Sequence, residues 1–446
     1  MSKKVVIIGG GASGLMAAIT AAKRGAFVTL FEHKDRVGKK LLMTGNGKCN
    51  LTNMSDIHGK YYGNDLDMIY KILEQFPADA VRAFFQEIGL YTKVKRDGGV
   101  YPVSEQATSV LDVLRTECEH CNINILTDTE ILEIIPNQNG GMVVAQKAIK
   151  EEKAVAKMKK GTGSKKTSVK SVVVGTKEIK LSYDNLIIAT GGQAAAVSGS
   201  DGSGYRMAKR LGHSLIKPLP ALVQLQCEGD YFKMIAGVRA QTSLKLYIRN
   251  ELCASEEGEL QLTDYGISGI PVFQFSRIVA RAIYEQQIGG FKEEQYPIVV
   301  KIDFLPYLSE KDRKELYKAR EQFSYKTVEE FLSGMVNKKI ASLVCNKILL
   351  GNTAKLKEIS DAELAACIDC LKCFPVIVNG TNSYDNAQVC SGGVPLSEIK
   401  DSMESKKYPH IYFAGEILDC DGICGGYNLQ WAWTTGKLAG EHAALE

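Results

Sequence analysis

The chain has 446 residues, of which 45% are hydrophobic and 24% are charged, and its net charge is only +4. These values are those of an ordinary globular protein and argue against a disordered, collagen-like or membrane-spanning chain. The small net charge gives no sign of a polyanionic partner. Glycine, at 42 residues, is more frequent than usual, whereas proline, at 11, is less frequent. Glycine is therefore expected to serve more than ordinary loops.

The compartment is predicted from the apolar runs and the cysteines. No apolar stretch approaches the roughly 18 residues of a transmembrane helix. The apolar run after Lys3 and Lys4 is interrupted by glycines before the hydrophobic part of a signal peptide would end. The twelve cysteines lie mostly within apolar runs, as reduced core thiols do. These features predict a cytoplasmic protein with no membrane-spanning segment.

The first half of the chain predicts an α/β arrangement. Residues 4–32 have the pattern of a strand, a glycine turn, a helix and a second strand, which is a βαβ unit. Further elements are predicted in chain order as helices at 66–89 and 105–121, short strands near 122–126, 130–135 and 142–148, and an apolar strand at 184–192 that ends in a glycine turn.

The pattern changes in the middle of the chain and returns at its end. Residues 218–262 alternate between apolar and polar side chains, which predicts antiparallel strands. Helices are predicted at 272–288, 309–350 and 360–373. The last hundred residues contain a strand at 410–416, a glycine loop and a C-terminal helix. The predicted plan is one α/β domain split in sequence by an inserted domain of strands and helices.

A glycine turn between the first strand and the first helix predicts a dinucleotide site. Gly9, Gly11 and Gly14 have the G-x-G-x-x-G spacing, in which glycines permit a tight turn, a close approach to pyrophosphate and close packing of helix on strand. The helix N-terminus adds free N–H groups for the anion. Glu32 ends the second strand, where a carboxylate would accept ribose hydroxyls and repel a 2′-phosphate. An adenine dinucleotide other than NADP is therefore expected at this turn.

The remaining glycine turns favour FAD over NAD. Each follows an apolar strand, and they lie at 44–50, 189–192, 413–416 and 424–428. A flavin dinucleotide places its pyrophosphate, ribityl chain and ring against backbone, which requires several such close approaches. The last turn opens the C-terminal helix, whose positive end would stabilise charge on the reduced flavin.

Seven motifs in order resemble one family. They are GGGASGLMAAI, GKKLLMTGNGKCNLTN, LIIATGG, DGSGY, LTDYGISGIP, AQVCSGGV and AGEILDCDGICGGYNLQWAW. Over essentially the whole chain they are similar to the HI0933-like (BaiN-like) FAD-dependent oxidoreductases of the two-dinucleotide-binding-domain flavoprotein superfamily. The resemblance implies an α/β fold, with a split Rossmann-like FAD-binding domain, an inserted β-barrel and a small helical subdomain.

The resemblance also implies domain boundaries. The FAD-binding domain is expected at 1–195 and 375–446, and the insert at 196–374. Within the insert, the β-barrel is expected at about 215–265, 295–304 and 350–374, with the helical subdomain at about 266–292 and 305–349.

The cofactor-binding residues are carried over position by position. Gly11, Ala12, Ser13 and Gly14 are expected at the pyrophosphate and Glu32 at the ribose, and Gly9 and His33 are also expected to bind the cofactor. The flavin side is expected to be lined by Lys39, Lys40, Thr44, Gly45, Asn46, Gly47 and Asn50. Thr190 and Gly191 are expected at the adenosine end, and Gly415, Glu416, Gly426, Tyr427, Asn428 and Leu429 at the ribityl chain and ring.

Two positions depart from the pattern of many relatives. Asp264 stands where they carry histidine, and Cys390 stands where they carry threonine. If either position protonates substrate, a reaction assigned to relatives need not transfer to this chain. No catalytic residue is therefore predicted.

Other chemistry is weakly supported by the sequence. Cys367, Cys370 and Cys373 superficially have iron–sulfur spacing, but they lie in a helical pattern without the fourth ligand, so packing thiols are favoured. The histidines lack metal spacing, and no metal site is predicted. Residues 147–170 carry nine lysines but no aromatic residue for base stacking, so a solvated hairpin or flexible loop is favoured over an RNA-binding element.

The predicted function is an FAD-dependent oxidoreductase with non-covalent FAD. NAD(P)H is the expected electron donor. Its binding is expected to be transient, because the chain has no second dinucleotide turn with a ribose-binding residue. The resemblance implies reduction of an activated C=C bond in a small hydrophobic substrate of steroid or bile-acid type. The alternatives are a flavin oxidase of a small amine or aminoketone that produces hydrogen peroxide, and an RNA-linked flavoprotein. A nucleic-acid partner is not favoured, and no oligomeric state is predicted.

Overall fold

The computed structural model describes residues 2–158, 165–289, 296–351 and 353–445. The strands, in chain order, are β1 (Lys4–Ile8), β2 (Phe27–Phe31), β3 (Thr52–Asn53), β4 (Tyr61–Tyr62), β5 (Thr92–Val94), β6 (Gly99–Pro102), β7 (Asn124–Leu126), β8 (Thr129–Asn137), β9 (Gly140–Met158), β10 (Lys165–Tyr183), β11 (Asn185–Ile188), β12 (Ile216–Ala221), β13 (Leu225–Cys227), β14 (Arg239–Ile248), β15 (Glu251–Leu262), β16 (Gly266–Ser268), β17 (Ile298–Asp303), β18 (Phe374–Thr381), β19 (Val389–Gly393), β20 (Ile411–Phe413) and β21 (Asp421–Gly422).

The α-helices are α1 (Ala12–Lys23), α2 (Leu66–Glu74), α3 (Ala78–Glu87), α4 (Ala107–His120), α5 (Ser203–Arg210), α6 (Phe232–Ile235), α7 (Ile270–Gly289), α8 (Glu310–Gln322), α9 (Val328–Leu332), α10 (Lys338–Lys347), α11 (Asp361–Lys372) and α12 (Tyr427–Leu445). Among the described residues, no helix is both long enough and apolar enough to cross a bilayer.

The first compact unit comprises residues 1–218 and 389–446. It contains a parallel five-stranded sheet in the order β20-β11-β1-β2-β7. The centre of the sheet is apolar, since Val5, Ile7, Leu186 and Ile187 are fully buried. A parallel sheet covered on both faces has this composition. All its strands run the same way, so their carboxyl ends share one edge, where ligands of open α/β sheets bind.

Helices α1 and α12 cross at very short range in this unit. A Cβ at Gly436 would lie 2.4 Å from the Ser13 carbonyl oxygen, and a Cβ at Gly440 would lie 2.5 Å from that of Ala17. Only glycine allows this approach. The crossing anchors the C-terminal helix against the helix that follows the glycine turn of β1.

The second compact unit comprises residues 219–388 and contains a closed barrel in the order β13-β16-β15-β14-β17-β18. The strands of this barrel are antiparallel. Its interior is aliphatic and aromatic, with Leu244, Leu246, Val300 and Phe374 buried. Helices α7, α10 and α11 add Phe275, Val344, Leu364 and other side chains to the same core.

The unit boundaries differ from the predicted ones. Residues 196–218 belong to the first unit rather than to the insert, because Tyr205, Ala208 and Leu211 of the α5 region pack in the first core. Residues 375–388 belong to the second unit, because β18 pairs with both β17 and β13 to close the barrel. The chain returns to the first unit at Val389 rather than at residue 375.

Three element predictions are corrected. The predicted helix at 66–89 is two helices, α2 and α3, separated at Pro77, which cannot continue a helix from α2. The barrel segment predicted at 350–374 contains helix α11, whose N-terminus is capped by Ser360 and Glu363. The barrel boundary is therefore wrong there, whereas the helix predicted at 360–373 is confirmed. The predicted helical segment at 266–292 begins with a barrel strand, β16, and its residues 290–292 lie outside the described residues.

The described parts of the lysine-rich segment, residues 147–158 and 165–170, lie on two long strands. Strands β9 and β10 pair antiparallel along their length and join β8 in a three-stranded sheet. Residues 159–164 of the segment lie outside the described residues. The backbone on either side of them has the form of the hairpin favoured from the sequence.

Candidate dinucleotide-binding site

The three glycines of the first turn have three different surroundings. A Cβ at Gly9, where φ is +106°, would lie 2.5 Å from the Ala189 carbonyl oxygen, and a Cβ at Gly14 would lie 1.9 Å from the Gly9 carbonyl oxygen. These two glycines are required by the fold. A Cβ at Gly11 would meet nothing within 4 Å. Open space in front of Gly11, at the N-terminus of α1, fits a bound pyrophosphate.

Glu32 and His33 follow β2 at the same edge of the sheet. Glu32 is buried, and its carboxylate accepts hydrogen bonds from the Gly10 N–H (3.0 Å) and the Lys34 N–H (2.8 Å). These bonds fix the carboxylate and leave lone pairs for further donors. The His33 Nε2 atom is shielded from solvent and has no hydrogen-bond partner among the described residues. An orphaned nitrogen beside a fixed carboxylate fits the hydroxyls of a ribose.

The second and third turns meet the first at the sheet edge. β1 and β11 are neighbours, so the Thr190 Cα would lie 2.9 Å from a Cβ at Gly9. Gly191, at φ +72°, follows it in the same turn. After β20, the Ser13 hydroxyl donates to the Ala414 carbonyl (3.3 Å), and a Cβ at Gly415 would lie 2.4 Å from the Ser13 Oγ. Ala12 and Ser13 begin α1 between these turns.

The segment 39–50 contributes a strongly turned loop. Residues 45–47, comprising Gly45, Asn46 and Gly47, all have φ between +54° and +81°, and they are exposed. Thr44 donates to the Leu41 carbonyl (2.6 Å), which fixes the start of the turn. Asn50 is buried and accepts from the Val100 N–H (3.1 Å). Lys39 forms an ion pair with Asp35.

The N-terminus of α12 lies beside this loop. Gly425 and Gly426 have φ of +129° and +99°, and a Cβ at Gly426 would lie 2.9 Å from the Asn50 Oδ1. Tyr427 is buried, and its carbonyl accepts from the Tyr61 hydroxyl (2.9 Å). The first N–H groups of a helix lack partners within the helix, so this end offers donors and a positive dipole to an anionic group.

Asn428 and Leu429 differ in whether their side chains already bond to other parts of the protein. The Asn428 side chain accepts from the Gly422 N–H (2.9 Å) and donates to the Gly422 carbonyl (2.7 Å). It therefore fastens the loop before α12, and its amide is already used by the protein. Leu429 is half-buried on the first turn of the helix.

Comparisons with known proteins bear on this site. The HI0933-like protein Rossmann domain matches residues 3–159 and 145–442. A 3-dehydro-bile acid delta(4,6)-reductase from Clostridium scindens is 37% identical over 445 residues, which are 99% of each chain. A ribosomal RNA dihydrouridine synthase from Haemophilus influenzae is 27% identical over 96% of each chain. The solved structure of Escherichia coli quinol fumarate reductase FrdA is similar with a TM-score of 0.48 and 16% identity, over 100% of this chain and 70% of its own.

The chain belongs to the HI0933-like family. The family predicted from the seven motifs is thereby confirmed, as is the α/β fold with its inserted barrel. The predicted class, an FAD-dependent oxidoreductase, is confirmed as well.

In this HI0933-like protein, Glu416 connects three segments that are far apart in the sequence. Its Oε2 lies 2.6 Å from the Lys40 Nζ, and its Oε1 accepts from the Cys390 N–H (2.9 Å). A Cβ at Gly192 would lie 2.9 Å from the same Oε1. The positioning role of the Cys390 backbone was not predicted, because a main-chain N–H leaves no signal in a sequence. Only the AQVCSGGV motif marked the segment.

The two positions that depart from the family pattern differ in their exposure to solvent. Cys390 is buried, burial raises the pKa of its thiol to about 12, and its sulfur accepts from the Gln193 N–H (3.3 Å). Its thiol therefore stays protonated at neutral pH. Asp264 is exposed in the turn between β15 and β16, within the second unit.

The cysteines with iron–sulfur spacing lie on and after α11. Cys367 is fully buried in the second core, Cys370 is half-buried, and Cys373 is exposed beyond the helix end. Within the described ranges, no cluster of histidine, cysteine and carboxylate side chains could hold a metal ion. The placement of Cys367 is that of a packing thiol.

Proposed function

We propose that this protein is a reductase that uses non-covalently bound FAD to reduce a C=C bond conjugated to a carbonyl group. The proposed substrate is small and hydrophobic, of steroid or bile-acid type, and the proposed electron donor is NADH or NADPH. The observation that carries the proposal is the 37% identity, over 99% of both chains, with a relative named as a 3-dehydro-bile acid delta(4,6)-reductase.

Different residues of the first unit would bind different parts of FAD. The pyrophosphate would lie in front of Gly11, and Glu32 with His33 would take the ribose. Glycines 425 and 426 would bring the N-terminus of α12 to the ring, where its dipole stabilises negative charge. Bound FAD would supply hydride transfer from a reduced nicotinamide to the activated double bond, and a proton from solvent would complete the gain of two hydrogens.

Non-covalent attachment is supported by the thiol that belongs to the loop of residues 44–50. Cys49 is fully buried, and burial raises the pKa of its thiol to about 12. Because the thiolate is the nucleophilic form, this cysteine is a poor candidate for a bond to the flavin. Backbone turns and the Glu32 carboxylate would then carry the affinity.

The test is product identification under steady-state conditions. Purified protein is incubated with NADH or NADPH and a steroid that has a 3-oxo group conjugated to a double bond, and the control steroid has the same skeleton with that bond saturated. The expected product has gained two hydrogens, and nicotinamide is consumed only with the unsaturated steroid. Rapid peroxide formation with an amine and no nicotinamide requirement would instead establish the oxidase alternative.

A second candidate is favoured by one observation. The Haemophilus influenzae relative is named as a ribosomal RNA dihydrouridine synthase and is matched over 96% of both chains. Uridine also contains a C=C bond conjugated to a carbonyl, so the same residues could serve that reaction. Under the conditions of the steroid assay, dihydrouridine formation in unmodified ribosomal RNA, with no steroid product, would establish this candidate in place of the proposal.

A further inference from the structure

Three lysines surround one carboxylate at the edge of the loop at residues 44–50. The Nζ atoms of Lys48, Lys93 and Lys95 lie 3.2, 2.8 and 3.6 Å from the Glu105 carboxylate. The Lys95 Nζ also lies 4.0 Å from the centre of the Tyr101 ring. We call Lys48, Lys93, Lys95 and Glu105 the rim cluster. Its lysine side chains are between 36% and 50% exposed, so they remain accessible to a ligand.

Several elements of the first unit build the rim cluster. Lys93 lies on β5, Lys95 follows that strand in the turn to β6, and Lys48 follows the left-handed residues 45–47. Glu105 has φ of +51°, and its N–H donates to the Pro102 carbonyl (2.9 Å). This tight turn after β6 brings its carboxylate to the lysines. A left-handed conformation at a residue other than glycine is uncommon.

The rim cluster is next to residues proposed to line the flavin. The Tyr101 ring would lie 3.7 Å from a Cβ at Gly45, and Val100 on the same strand donates its N–H to Asn50. The Leu51 N–H donates to the Val100 carbonyl (2.8 Å), which ties the loop to β6. A ligand at the rim cluster would therefore lie beside the loop and not at the Gly11 turn.

The charges of the rim cluster do not balance. Hydrogen bonds from Lys93 and Lys48 lower the pKa of Glu105 to about 2, so its carboxylate is ionised at neutral pH. Three ammonium groups therefore share one negative charge, which leaves an excess of two positive charges. In the turn between β5 and β6, Arg96 and Asp97 add one charge of each sign.

We propose that the rim cluster binds the phosphate groups of the nicotinamide dinucleotide that reduces the flavin. This inference rests on the proposed function, because it assumes that the loop at residues 44–50 faces the flavin. A phosphate monoester carries about −1.5 to −2 charges at neutral pH, and a pyrophosphate diester carries about −2, which matches the excess charge. A single substrate carboxylate would leave one positive charge uncompensated. Lysine binds phosphate as a point charge and needs no bidentate geometry.

The test is a pair of substitutions with opposite expected effects. Lys93→Gln removes a positive charge, and Glu105→Gln removes the negative one. The probe is adenosine 2′,5′-bisphosphate, titrated into the flavin-loaded protein by calorimetry. We expect Lys93→Gln to weaken its binding by about tenfold and Glu105→Gln to strengthen it by about threefold, as local charge requires. Lys71→Gln, which removes an exposed lysine paired with Asp401 elsewhere in the unit, is the matched control and leaves binding unchanged.

Kinetics then identify which phosphate is bound. In anaerobic flavin reduction, Lys93→Gln should raise the apparent Kd for the nicotinamide and leave both flavin content and the saturating rate unchanged. A change for NADPH alone assigns the 2′-phosphate, and equal changes for NADPH and NADH assign the pyrophosphate. Either result supports the proposal.

Three results would overturn it. The first is an unchanged probe affinity in both Lys93→Gln and Glu105→Gln. The second is a weakened affinity in both variants, which would indicate a structural role. The third is a loss of ribosomal RNA binding in Lys93→Gln while its dinucleotide affinity is unchanged. Wild-type flavin that neither nicotinamide reduces would count against the proposed function. The probe titration would still decide whether the rim cluster binds nucleotide phosphate.

Discussion

At the scale of single residues, the glycine turn separates what the fold needs from what a ligand needs. Gly9 and Gly14 face backbone atoms at distances that no Cβ tolerates, whereas Gly11 faces open space and has an ordinary φ of −82°. The same three-glycine motif therefore contains two structural positions and one position that we propose binds the cofactor. Spacing alone predicts the motif, but only the surroundings of each glycine tell the two roles apart.

Replacing Gly11 by valine tests this separation. The side chain would occupy the place proposed for the pyrophosphate, and its Cβ would meet no described heavy atom within 4 Å. We expect a folded protein with a melting temperature close to that of wild-type apoprotein, and with flavin content reduced to about a tenth or less. The matched variant is Gly14→Ala, whose Cβ meets the Gly9 carbonyl oxygen and should destabilise the fold itself. Full flavin content in Gly11→Val would show that the phosphate turn is assigned incorrectly.

Other site residues illustrate the limits of sequence reasoning at this scale. Glu32 is predicted from its position some 20 residues after the glycine turn, because strand and helix lengths in βαβ units vary little. The ion pair of Lys40 with Glu416 is not, because its partners are 376 residues apart and meet only when β20 joins the sheet. The clustering of lysines around Glu105 is likewise not predictable from the sequence, since it depends on a turn with a left-handed residue.

At the scale of elements, the α1–α12 crossing predicts whether a Gly→Ala substitution raises or lowers the free energy of unfolding. In a helix interior, Gly→Ala ordinarily stabilises by about 0.8–1.0 kcal/mol through helix propensity. At Gly436 the new Cβ would lie 2.4 Å from the Ser13 carbonyl oxygen, a backbone atom that cannot rotate away. Overpacking of this kind typically costs about 1–3 kcal/mol, so we expect Gly436→Ala to lower the free energy of unfolding.

Denaturant unfolding of apoprotein measures this effect. The control is Leu445→Val at the exposed end of the same helix, where no close packing is at stake and the change should stay within about 0.5 kcal/mol. A stabilised Gly436→Ala variant would mean that propensity outweighs the contact. The close crossing would then be wrong.

A buried polar network links α5 to the segment before β20. The side chain of His213 is fully buried, with Nδ1 2.7 Å from the Glu398 Oε2 and Nε2 2.9 Å from the Ser405 Oγ. Burial lowers the pKa of His213 below 6.5, although Glu398 opposes the shift. Burial alone would raise the pKa of Glu398, but hydrogen bonds from Ser214, Lys407 and His213 lower it to about 2.

These shifts predict stability that is lost in two steps on acidification. As the pH falls below about 6.5, His213 is protonated in the unfolded chain before it is protonated in the folded protein. The free energy of unfolding therefore decreases as the pH decreases. From about pH 4.5 towards pH 2, protonation of the Glu398 carboxylate removes a second contribution. Urea unfolding from about pH 7.5 to pH 4 measures the first step. His213→Gln should be less stable at neutral pH but lack that step, whereas the exposed His58→Gln should retain it. Wild-type stability that is flat across this range would contradict the assignment.

Helix and strand prediction succeeds where the pattern is local. The predicted βαβ unit corresponds to β1, α1 and β2, because its apolar runs and glycine turn are contiguous. Predictions fail where an element is defined by its pairing with distant strands. Strand β16 has only three residues and is recognised by its partners β13 and β15. The barrel boundary at 350–374 is wrong because it includes α11 (Asp361–Lys372), although the helical pattern at 360–373 predicts that helix correctly.

At the scale of the whole molecule, the split organisation is visible in the sequence but its boundaries are not. The change from βαβ style to alternating strands and back indicates an insertion. The boundaries of the insertion depend on which of the two hydrophobic cores each segment packs into. Tyr205 and Ala208 of α5 pack in the first core, and β18 closes the barrel of the second. Neither choice follows from local composition, since both segments contain apolar residues suited to either core.

The most direct test of the account follows electrons through the purified protein in sequential anaerobic mixing. NADH or NADPH is added first, and absorbance in the flavin bands is recorded. A steroid with a 3-oxo group conjugated to a double bond is added next. We expect bleaching by the nicotinamide, recovery of the bands on addition of the unsaturated steroid, and one equivalent of reduced product. Bands that the nicotinamide does not bleach, or that recover only when oxygen is admitted, would contradict it.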